Sequence, residues 1–316
     1  MRMRWWSLVL LAAPLAHAEV YPLAPGQDLI GESGQTNSVA KDTLPEIARR
    51  QHLGFDEIVA ANPGVDTWLP GDGTLVHLPM QHLLPDAPRQ GIVVNLPQGR
   101  LFYFHYAAAG HALVETFPVS VGQMDWKTPL GVTRIVSKEK APTWYPPKSV
   151  REVHLQDGDV LPASIPPGPD NPLGDYALRL GIPGGAYLIH GTNNPLGVGM
   201  QITHGCMRLY PEDIDLLFHE VPAGMSVRIV NQRIMTGWAD GALYLEVHGP
   251  LDGTDPKDIE DLTALTRVIV AATATRRVII DWDTAGRVFQ QARGVPTRIS
   301  IDRWIEPAAR ARRRGS

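Results

Sequence analysis

Glycine and proline interrupt this sequence at short intervals, and this spacing limits the regular structure that the chain can form. The 316 residues include 30 glycines and 28 prolines. Because both residue types favour turns and end helices, the sequence predicts many short strands and a mainly β fold. The length suggests two or three domains. With 44% hydrophobic residues, the chain can form a folded core, which excludes a disordered, collagen-like or coiled-coil protein.

The charge balance argues against nucleic acid as a partner. Lysine and arginine number 29 and aspartate and glutamate number 33, which gives a formal net charge of -4. A protein that binds nucleic acid through its phosphates needs a strongly basic surface, because it gains affinity by releasing counterions. We therefore expect no nucleic-acid partner.

The first 18 residues have the features of a cleaved secretory signal peptide. Arg2 and Arg4 precede an apolar stretch over residues 5–15, and the sequence Ala-His-Ala at 16–18 is typical of a signal peptidase site. The apolar stretch is shorter than the roughly 20 residues of a transmembrane helix, and Pro14 interrupts it. We therefore expect a signal peptide over 1–18 rather than a membrane anchor, and no later transmembrane segment.

Residues 36–80 contain two short helical patterns between short strands. Thr43 and Glu46 form a capping-box pattern, which predicts the start of the first helix. Apolar residues with helical spacing predict a second helix, which ends at the Asn-Pro-Gly sequence over 62–64. A strand is predicted over residues 74–79.

This part of the chain resembles a LysM module. The resemblance rests on three segments: Asp42-Thr43-Leu44, Ile47-Ala48 and Ala61-Asn62-Pro63-Gly64. LysM modules bind the N-acetylglucosamine backbone of peptidoglycan or chitin, so the resemblance implies a glycan-binding module over 36–80. The alternative is a packing domain that binds no glycan, because Ala40-Lys41 stands where the family usually has a glycine directly before the aspartate.

A second, β-rich domain is expected over residues 90–231. Residues 80–90 contain two prolines and no periodicity, so a linker is predicted there. Seven short β-rich runs follow, separated by turn signals: residues 92–96, 101–106, 114–121, 132–136, 176–180, 186–190 and 226–230.

Two segments of this domain do not follow the pattern of short strands. Residues 140–174 contain eight prolines and are too long for a simple connection, which is typical of a flap over a binding cleft. Pro211 predicts the start of a helix, because proline fits the first turn and acidic residues follow it. Ile214, Leu217 and Phe218 form the apolar face of this helix.

The end of the sequence predicts a small α+β domain over residues 232–310. Strand and helix patterns alternate there: strands over 242–247, 278–282 and 297–301, and helices over 258–273 and 284–292. No catalytic motif lies in this part. The basic tail over 311–316 is expected to be a solvated end rather than a surface that binds an anionic wall or membrane.

The segment from Tyr187 to Leu209 contains the residue types that cysteine-dependent acyl transfer needs. Cys206 is the only cysteine of the chain, so it cannot form an intramolecular disulfide in an oxidising compartment. A cysteine nucleophile needs a nearby base that removes its proton. His190 ends a predicted strand, and His204 lies two residues before the thiol, on the same face of an extended segment. Spacing alone leaves both histidines as candidate bases.

Gly205 and Arg208 suggest two further functions for this segment. Gly205 lets the backbone approach a reacting carbonyl, and the main-chain N–H groups around Gly205 and Cys206 are suited to hold an oxyanion. The guanidinium of Arg208 is suited to bind a substrate carboxylate. The alternative is that Arg208 pairs with Glu212 or Asp213 and only shapes the cysteine loop.

These residues resemble the signature of the L,D-transpeptidases, whose catalytic domain is of the YkuD type. The matching segments are His190-Gly191, Thr203-His204-Gly205-Cys206-Met207-Arg208-Leu209 and the turn Lys127-Thr128-Pro129-Leu130-Gly131. The similarity covers about residues 90–231, and the LysM-like front end fits the ErfK/YbiS-like members of Gram-negative bacteria. The resemblance implies a β-sandwich catalytic domain within a mainly β protein.

The resemblance also implies roles for individual residues. Cys206 is implied to be the nucleophile and His190 the group that accepts and donates the proton, with His204 in a supporting role. The remaining site residues are implied to bind substrate or surround the thiol: Arg208, Gly205, Thr203, Gly191 and Thr192. No metal and no cofactor are expected.

By the same resemblance, the reaction takes place on peptidoglycan in the periplasm. The Cys206 thiolate attacks the bond after diaminopimelate in a tetrapeptide stem, releases D-alanine and keeps the stem as a thioester. The resolving amine is either the side chain of another diaminopimelate, which gives a 3-3 cross-link, or a lysine of an outer-membrane lipoprotein. Both outcomes serve cell-wall biogenesis and cell shape, and a carbapenem is expected to acylate the same thiol.

Two functions from other classes stay open at this point. One is a cysteine L,D-carboxypeptidase or hydrolase of wall peptides, in which the same residues use water as the acceptor. The other is a non-catalytic protein that binds peptidoglycan. The presence of every candidate catalytic residue argues against the second alternative.

Overall fold

The computed structural model describes residues 20–108, 110–123, 126–156, 158–184 and 187–301. The signal peptide expected over 1–18 and the basic tail expected over 311–316 lie outside these ranges. Within them, no helix is both long enough and apolar enough to cross a membrane.

A short N-terminal module packs two helices against a two-stranded antiparallel sheet. The elements of this part are β1 (Val20–Pro22), β2 (Leu29–Ile30), β3 (Gly34–Asn37), α1 (Leu44–Arg50), α2 (Phe55–Ala61), β4 (Leu75–Leu78) and β5 (His82–Leu83). β3 pairs with β4 along its whole length. Buried apolar side chains form the core of the module: Leu44, Ile47, Ala48, Leu53, Ile58, Val76 and Leu78.

Local signals explain the limits of both helices. The Thr43 hydroxyl accepts a hydrogen bond from the Glu46 N–H at 3.2 Å, and the Glu46 carboxylate accepts one from the Thr43 N–H at 3.0 Å. α2 ends before Asn62, and the following Pro63 cannot continue it. The predicted capping box, both helices and the strand that follows them are confirmed.

Residues 82–85 are buried, so the linker predicted over 80–90 is wrong for that part. His82 and Leu83 form β5, which pairs with β2. The side chains of Leu83 and Leu84 are buried in two different apolar clusters. Burial of these side chains outweighs the local preference of the two prolines for an exposed connection.

One large curled sheet forms the central domain and confirms the mainly β fold class. Its elements are β6 (Gly91–Asn95), β7 (Arg100–Tyr106), β8 (Ala112–Pro118), β9 (Val121–Gly122), β10 (Gly131–Lys140), α3 (Lys148–Gln156), β11 (Tyr176–Leu180), β12 (Leu188–His190), β13 (Gln201–Thr203), β14 (Met207–Arg208), α4 (Pro211–Glu220) and β15 (Ser226–Val230). The large sheet has nine strands in the order β1-β8-β7-β6-β15-β10-β11-β12-β14. β9 and β13 form a separate parallel pair.

The strand order puts the segments that carry His190 and Arg208 side by side. β12 and β14 run parallel, with Ile189 opposite Met207 and His190 opposite Arg208. Ile189 and Met207 are fully buried in the main core. Because side chains alternate between the two faces of a strand, His190 and Arg208 point to the other face of the sheet.

Helix α4 follows directly after β14, as predicted. Pro211 occupies its first turn, where a missing N–H costs nothing. Ile214 and Leu217 are buried against the sheet. The helix therefore fixes the chain that leaves the cysteine segment.

The proline-rich segment over residues 140–174 lies over the face of the sheet that carries His190. It contains helix α3, which was not predicted, and the buried Val150 anchors that helix. The backbones of Trp144 and Ile165 exchange two hydrogen bonds, at 2.9 and 2.8 Å, which join distant parts of the segment. Trp144, Tyr145 and Val150 line a cavity, so the prediction of a flap over a cleft is confirmed.

A C-terminal module combines small sheets with two helices. Its elements are β16 (Ile234–Ala239), β17 (Ala242–Val247), α5 (Leu262–Thr273), β18 (Ile279–Ile280), α6 (Trp282–Gln291), β19 (Thr297–Arg298) and β20 (Ser300–Ile301). β16 was not predicted. Trp282 begins α6 instead of ending a strand, because the Asp281 carboxylate accepts a hydrogen bond from the Thr284 N–H and caps the helix.

Buried polar contacts join the three parts of the chain. On the N-terminal side, the Tyr210 hydroxyl donates a hydrogen bond to the Leu53 carbonyl at 2.9 Å. On the C-terminal side, the fully buried Glu246 carboxylate accepts hydrogen bonds from the Leu83 N–H at 2.6 Å and from the Gln98 amide at 2.9 Å. Removal of either module would leave such groups buried without partners or expose core surface, so the modules are not independent.

Candidate active site

A cavity of about 400 Å³ lies between the flap and strands β10, β11, β12 and β14. Five of the candidate residues line it: His190, Thr203, His204, Cys206 and Arg208. The other three candidates, Gly191, Thr192 and Gly205, are not among the described residues that line this cavity. Among all residues that the structure describes, no group of three or more His, Cys, Asp or Glu side chains is placed to hold a metal ion.

The loop that carries Cys206 needs glycine at position 205. Gly205 has a φ of +92°, and a Cβ atom there would lie 2.9 Å from the ring of Tyr187. The Thr203 hydroxyl donates a hydrogen bond to the Cys206 carbonyl, which closes the turn around the thiol. The Thr128 hydroxyl donates to the Gly205 carbonyl at 3.2 Å. Thr203 and Gly205 therefore hold the thiol in place, and any contact of theirs with substrate stays a prediction.

The surroundings of Cys206 keep its thiol protonated at rest. Burial raises the pKa of the Cys206 thiol above its ordinary value. The Leu188 N–H and the positive charges of Arg208 and Arg179 lower this pKa and so oppose the effect of burial. Because the net effect is an increase, formation of the thiolate near neutral pH requires a base.

The buried imidazole of His190 is held in one tautomer. Its Nδ1 lies 2.7 Å from the Gly191 carbonyl oxygen, which can only accept a hydrogen bond. Nδ1 therefore carries the proton, and Nε2 keeps its lone pair. Burial, together with the positive charge of Arg208, lowers the pKa of His190 to about 4. The imidazole is thus neutral at pH 7 and can accept a proton at Nε2.

His204 is oriented by aromatic packing instead. Its ring centroid lies 4.3 Å from that of Trp126. Its buried Nε2 has no hydrogen-bond partner among the residues that the structure describes. Burial lowers the pKa of His204, as do the charges of His154 and Arg208. Of the two candidate bases, only His190 has, among the described residues, a backbone contact that fixes the position of its proton.

The structure does not support the alternative in which Arg208 pairs with the acidic residues that follow it. Glu212 pairs with Arg49 at 3.0 Å, and the Asp213 carboxylate lies 3.2 Å from His52 Nδ1. The Nε of Arg208 is buried and has no hydrogen-bond partner within the described ranges. Arg208 also lines the cavity, and binding of a substrate carboxylate by its guanidinium stays a prediction.

Gly191 and Thr192 shape the chain that follows β12. A Cβ atom at Gly191 would lie 3.0 Å from Ile214, so this position packs tightly against α4. The Thr192 hydroxyl accepts a hydrogen bond from the Asn194 N–H at 2.9 Å. Both residues support the backbone next to His190, and their contact with substrate stays a prediction.

Two charged residues that no sequence motif indicated also line the cavity, Glu139 on β10 and Arg179 on β11. β11 was predicted correctly, but which of its side chains face the cavity depends on its register with β12. β10 continues to Lys140, beyond the predicted end at residue 136, so Glu139 was not expected on a strand. The one sequence signal for Arg179 is its own charge, because it lies between two leucines, Leu178 and Leu180, that are both buried in the strand.

Comparison with known proteins relates this arrangement to one group of enzymes. A family model described as the YkuD L,D-transpeptidase catalytic domain matches residues 89–229. The probable L,D-transpeptidase YcfS of Escherichia coli K12 is 40% identical over 259 residues, which cover 78% of this chain and 80% of the relative. The probable L,D-transpeptidase ErfK/SrfK of the same strain is 37% identical over 302 residues, 92% of this chain and 94% of the relative. The crystal structure of L,D-transpeptidase 3 from Mycobacterium tuberculosis with a faropenem-derived adduct is 18% identical, with a TM-score of 0.33, and the match covers 50% of this chain and 74% of that one.

Proposed function

The chain belongs to the L,D-transpeptidase family, and we propose that it acts on peptidoglycan tetrapeptide stems through a thioester at Cys206. The enzyme is an L,D-transpeptidase with a YkuD-type catalytic domain. The pairing of β12 with β14 carries the proposal, because it puts His190 on the strand next to the one that Cys206 precedes. The thiol and the imidazole thus line the same cavity.

Acylation starts from a neutral thiol and a neutral imidazole. His190 Nε2 removes the Cys206 proton while the sulfur attacks the carbonyl carbon of the bond between diaminopimelate and D-alanine. The main-chain N–H groups around Gly205 and Cys206 stabilise the oxyanion that forms. As the C–N bond breaks, His190 gives the proton to the amine of the leaving D-alanine. The stem remains bound to sulfur as a thioester.

Transfer to an amine completes the reaction. The acceptor amine attacks the thioester carbon and loses a proton to His190, and the proton returns to sulfur as the C–S bond breaks. A diaminopimelate side chain as acceptor gives a 3-3 cross-link, and a lysine of an outer-membrane lipoprotein as acceptor attaches that protein to the wall. Residues of the flap line one side of the cavity in which this transfer takes place.

Intact-mass analysis of products distinguishes transfer from the two alternative functions. The enzyme is incubated with purified disaccharide-tetrapeptides, and the products are separated and weighed. A cross-linked dimer that has lost one D-alanine supports transfer. A monomer shortened by D-alanine indicates hydrolysis, and unchanged substrate indicates a protein that only binds the wall.

A periplasmic location follows from the proposed substrate. Peptidoglycan stems lie outside the cytoplasmic membrane in Gram-negative cells, and residues 1–18 have the features of a signal peptide. Single-cysteine chemistry is compatible with this oxidising compartment, because Cys206 has no second thiol within the chain to pair with.

The N-terminal module is proposed to bind the glycan strand. Trp68, in the loop between α2 and β4, is 56% exposed, and its ring lies 5.9 Å from that of Phe55. The neighbouring Leu69 is 76% exposed. An exposed aromatic ring with an apolar neighbour is suited to pack against a sugar face.

Trp68→Ala is expected to weaken sedimentation with intact peptidoglycan by about threefold to tenfold, because it removes one aromatic contact. Turnover of soluble stems without glycan should stay at the wild-type rate. Trp282→Ala is the matched control, since Trp282 is also about half exposed, at 48%, but lies on α6. Equal sedimentation of both variants and wild type would assign the module a packing role. A point substitution is used because deletion of residues 36–80 would remove the Leu53 carbonyl that Tyr210 binds.

Arg208→Lys is expected to lower kcat/KM for a tetrapeptide stem by roughly tenfold to a hundredfold. A bidentate, charge-assisted pair with the carboxylate next to the scissile bond would be replaced by a single ammonium contact. Wild type should lose a similar factor when the terminal D-alanine is amidated, and the variant should distinguish the two stems much less. Equal losses on both stems, together with a lower melting temperature, would show that Arg208 only supports the loop.

A further inference from the structure

The floor of the cavity is a regular row of paired residues across four strands. Glu139 on β10 pairs with Ala177 on β11, and Ala177 pairs with His190 on β12. His190 in turn pairs with Arg208 on β14. Directly paired residues point to the same face of a sheet, so all four side chains face the cavity. Glu139 and Arg208 lie at opposite ends of the row, and the small Ala177 leaves space between them.

A second row lies next to the first and contains the thiol. Ser137 on β10 pairs with Arg179 on β11, and Arg179 pairs with Leu188 on β12. Because Ile189 lies opposite Met207, Leu188 lies next to Cys206 in the same row. Arg179 is therefore two strands away from the cysteine segment.

Arg179 and Glu139 are available to a ligand. Both line the cavity and both are exposed. Among the described residues, neither forms an ion pair within 4.0 Å, and they are diagonal neighbours in adjacent rows. The positive charge of Arg179 also reaches Cys206, since it lowers the pKa of that thiol. A positive and a negative group thus stand next to each other, at a distance from the thiol, in the same cavity.

The spacing of these charges matches the side chain of diaminopimelate. This side chain ends in a second amino-acid centre, which carries one ammonium and one carboxylate. Six carbon–carbon bonds of about 1.5 Å separate the attacked carbonyl from that carboxylate, which is roughly 7 Å in an extended chain. Two strand spacings of about 4.8 Å separate Arg179 from the cysteine segment, or roughly 10 Å of backbone distance. The arginine side chain is long enough to close this difference.

We propose that Arg179 and Glu139 bind the amino-acid centre at the end of the diaminopimelate side chain, Arg179 at its carboxylate and Glu139 at its ammonium. The inference rests on the proposed function and goes beyond it, because it names the part of the stem that selects the acyl donor. Arg208 then binds the other carboxylate of the stem, that of the terminal D-alanine next to the scissile bond. A stem with lysine in place of diaminopimelate lacks the carboxylate that Arg179 binds, so the enzyme discriminates against it.

Three soluble tetrapeptide stems test the role of Arg179: one with diaminopimelate, one with its side-chain carboxylate amidated and one with lysine. Wild type is expected to lose tenfold to a hundredfold in kcat/KM on the second and third stems. The kcat/KM of Arg179→Gln on the diaminopimelate stem should fall to its value on the amidated stem. The ratio of these two kcat/KM values should therefore be close to one. Arg179→Lys keeps the positive charge but lacks the planar guanidinium that can donate two hydrogen bonds to one carboxylate. It should therefore give an intermediate ratio.

The Glu139 half of the proposal has its own comparison. Because acetylation of the side-chain amine also removes the acceptor, acylation is measured here in a single turnover as D-alanine release. Acetylation should lower this acylation rate for wild type, and Glu139→Gln should largely remove that difference. Arg134→Gln is the control for both variants, because Arg134 is exposed on β10 but does not line the cavity. It should keep every wild-type ratio. Melting temperatures of all variants identify any that fail to fold.

The outcomes separate this inference from the proposed function. If Arg179→Gln loses activity equally on all three stems, Arg179 acts through the thiol and the inference is wrong. If wild type does not distinguish the stems, the inference is also wrong, while transpeptidation stands. If wild type releases no D-alanine from any stem, the proposed function itself is wrong.

Discussion

Cys206→Ala is expected to lower the release of D-alanine from a tetrapeptide stem by at least about a thousandfold, because the variant lacks the nucleophile. No other cysteine exists in the chain to replace it. The side chain of Cys206 is only partly buried, so alanine removes a single atom at the cavity wall. The free energy of unfolding should therefore change by less than about 1 kcal/mol. Chromatographic measurement of D-alanine, alongside thermal unfolding, checks both parts.

A carbapenem provides the matching labelling experiment. Its strained ring resembles an acyl donor, so the wild-type enzyme should gain the mass of one carbapenem and Cys206→Ala should gain none. Peptide mapping of the wild-type adduct should place the added mass on Cys206. An alanine variant that folds and still releases D-alanine at the normal rate would show that another group is the nucleophile.

The parts of the site that could be predicted from sequence depend on local signals. The capping box at Thr43 and the proline at 211 act within one helical turn, so the limits of α1 and α4 follow from a few neighbouring residues. The segment from Thr203 to Leu209 is contiguous, so its side chains remain close to the thiol whatever the rest of the fold. The positive φ of Gly205 shows why glycine is needed there.

The charged floor of the cavity could not be predicted, because it depends on contacts between distant parts of the chain. A change of one residue in the register between β11 and β12 would turn Arg179 to the other face of the sheet. No local pattern specifies that register. Burial of residues 82–85 likewise depends on a distant contact, since the Leu83 N–H donates a hydrogen bond to the carboxylate of Glu246. Two prolines mark this segment in the sequence, but no local pattern indicates its partner Glu246.

His190→Ala is expected to slow acylation by about a hundredfold or more, because it removes the general base. His204→Ala should cost clearly less, since within the described ranges no backbone contact fixes a tautomer of His204, which packs against Trp126 instead. The two variants are a matched pair: each removes one imidazole from the same cavity. Mass spectrometry of single-turnover acyl-enzyme formation measures the step directly. A larger loss from His204→Ala would exchange the roles of the two histidines.

The pH dependence of acylation tests the same assignment without removing the base. Since burial and Arg208 lower the pKa of His190 to about 4, its neutral form should persist as the pH falls from 7 to 5, and acylation should decline only as the pH approaches 4. An exposed histidine with a pKa near 6.5 would lose most of its base form by pH 5.

Stability must be followed in the same pH series. The folded pKa of His190 lies below the unfolded value, so the unfolded chain binds the proton first, and stability falls as the pH decreases from about 6.5 toward 4. Rates are therefore compared only where circular dichroism shows a folded enzyme. Arg208→Gln removes a positive charge beside the imidazole, so it should shift the acid limb of acylation to higher pH. An acid limb near 6.5 in wild type, unmoved in Arg208→Gln, would mean that a more exposed group than His190 accepts the thiol proton.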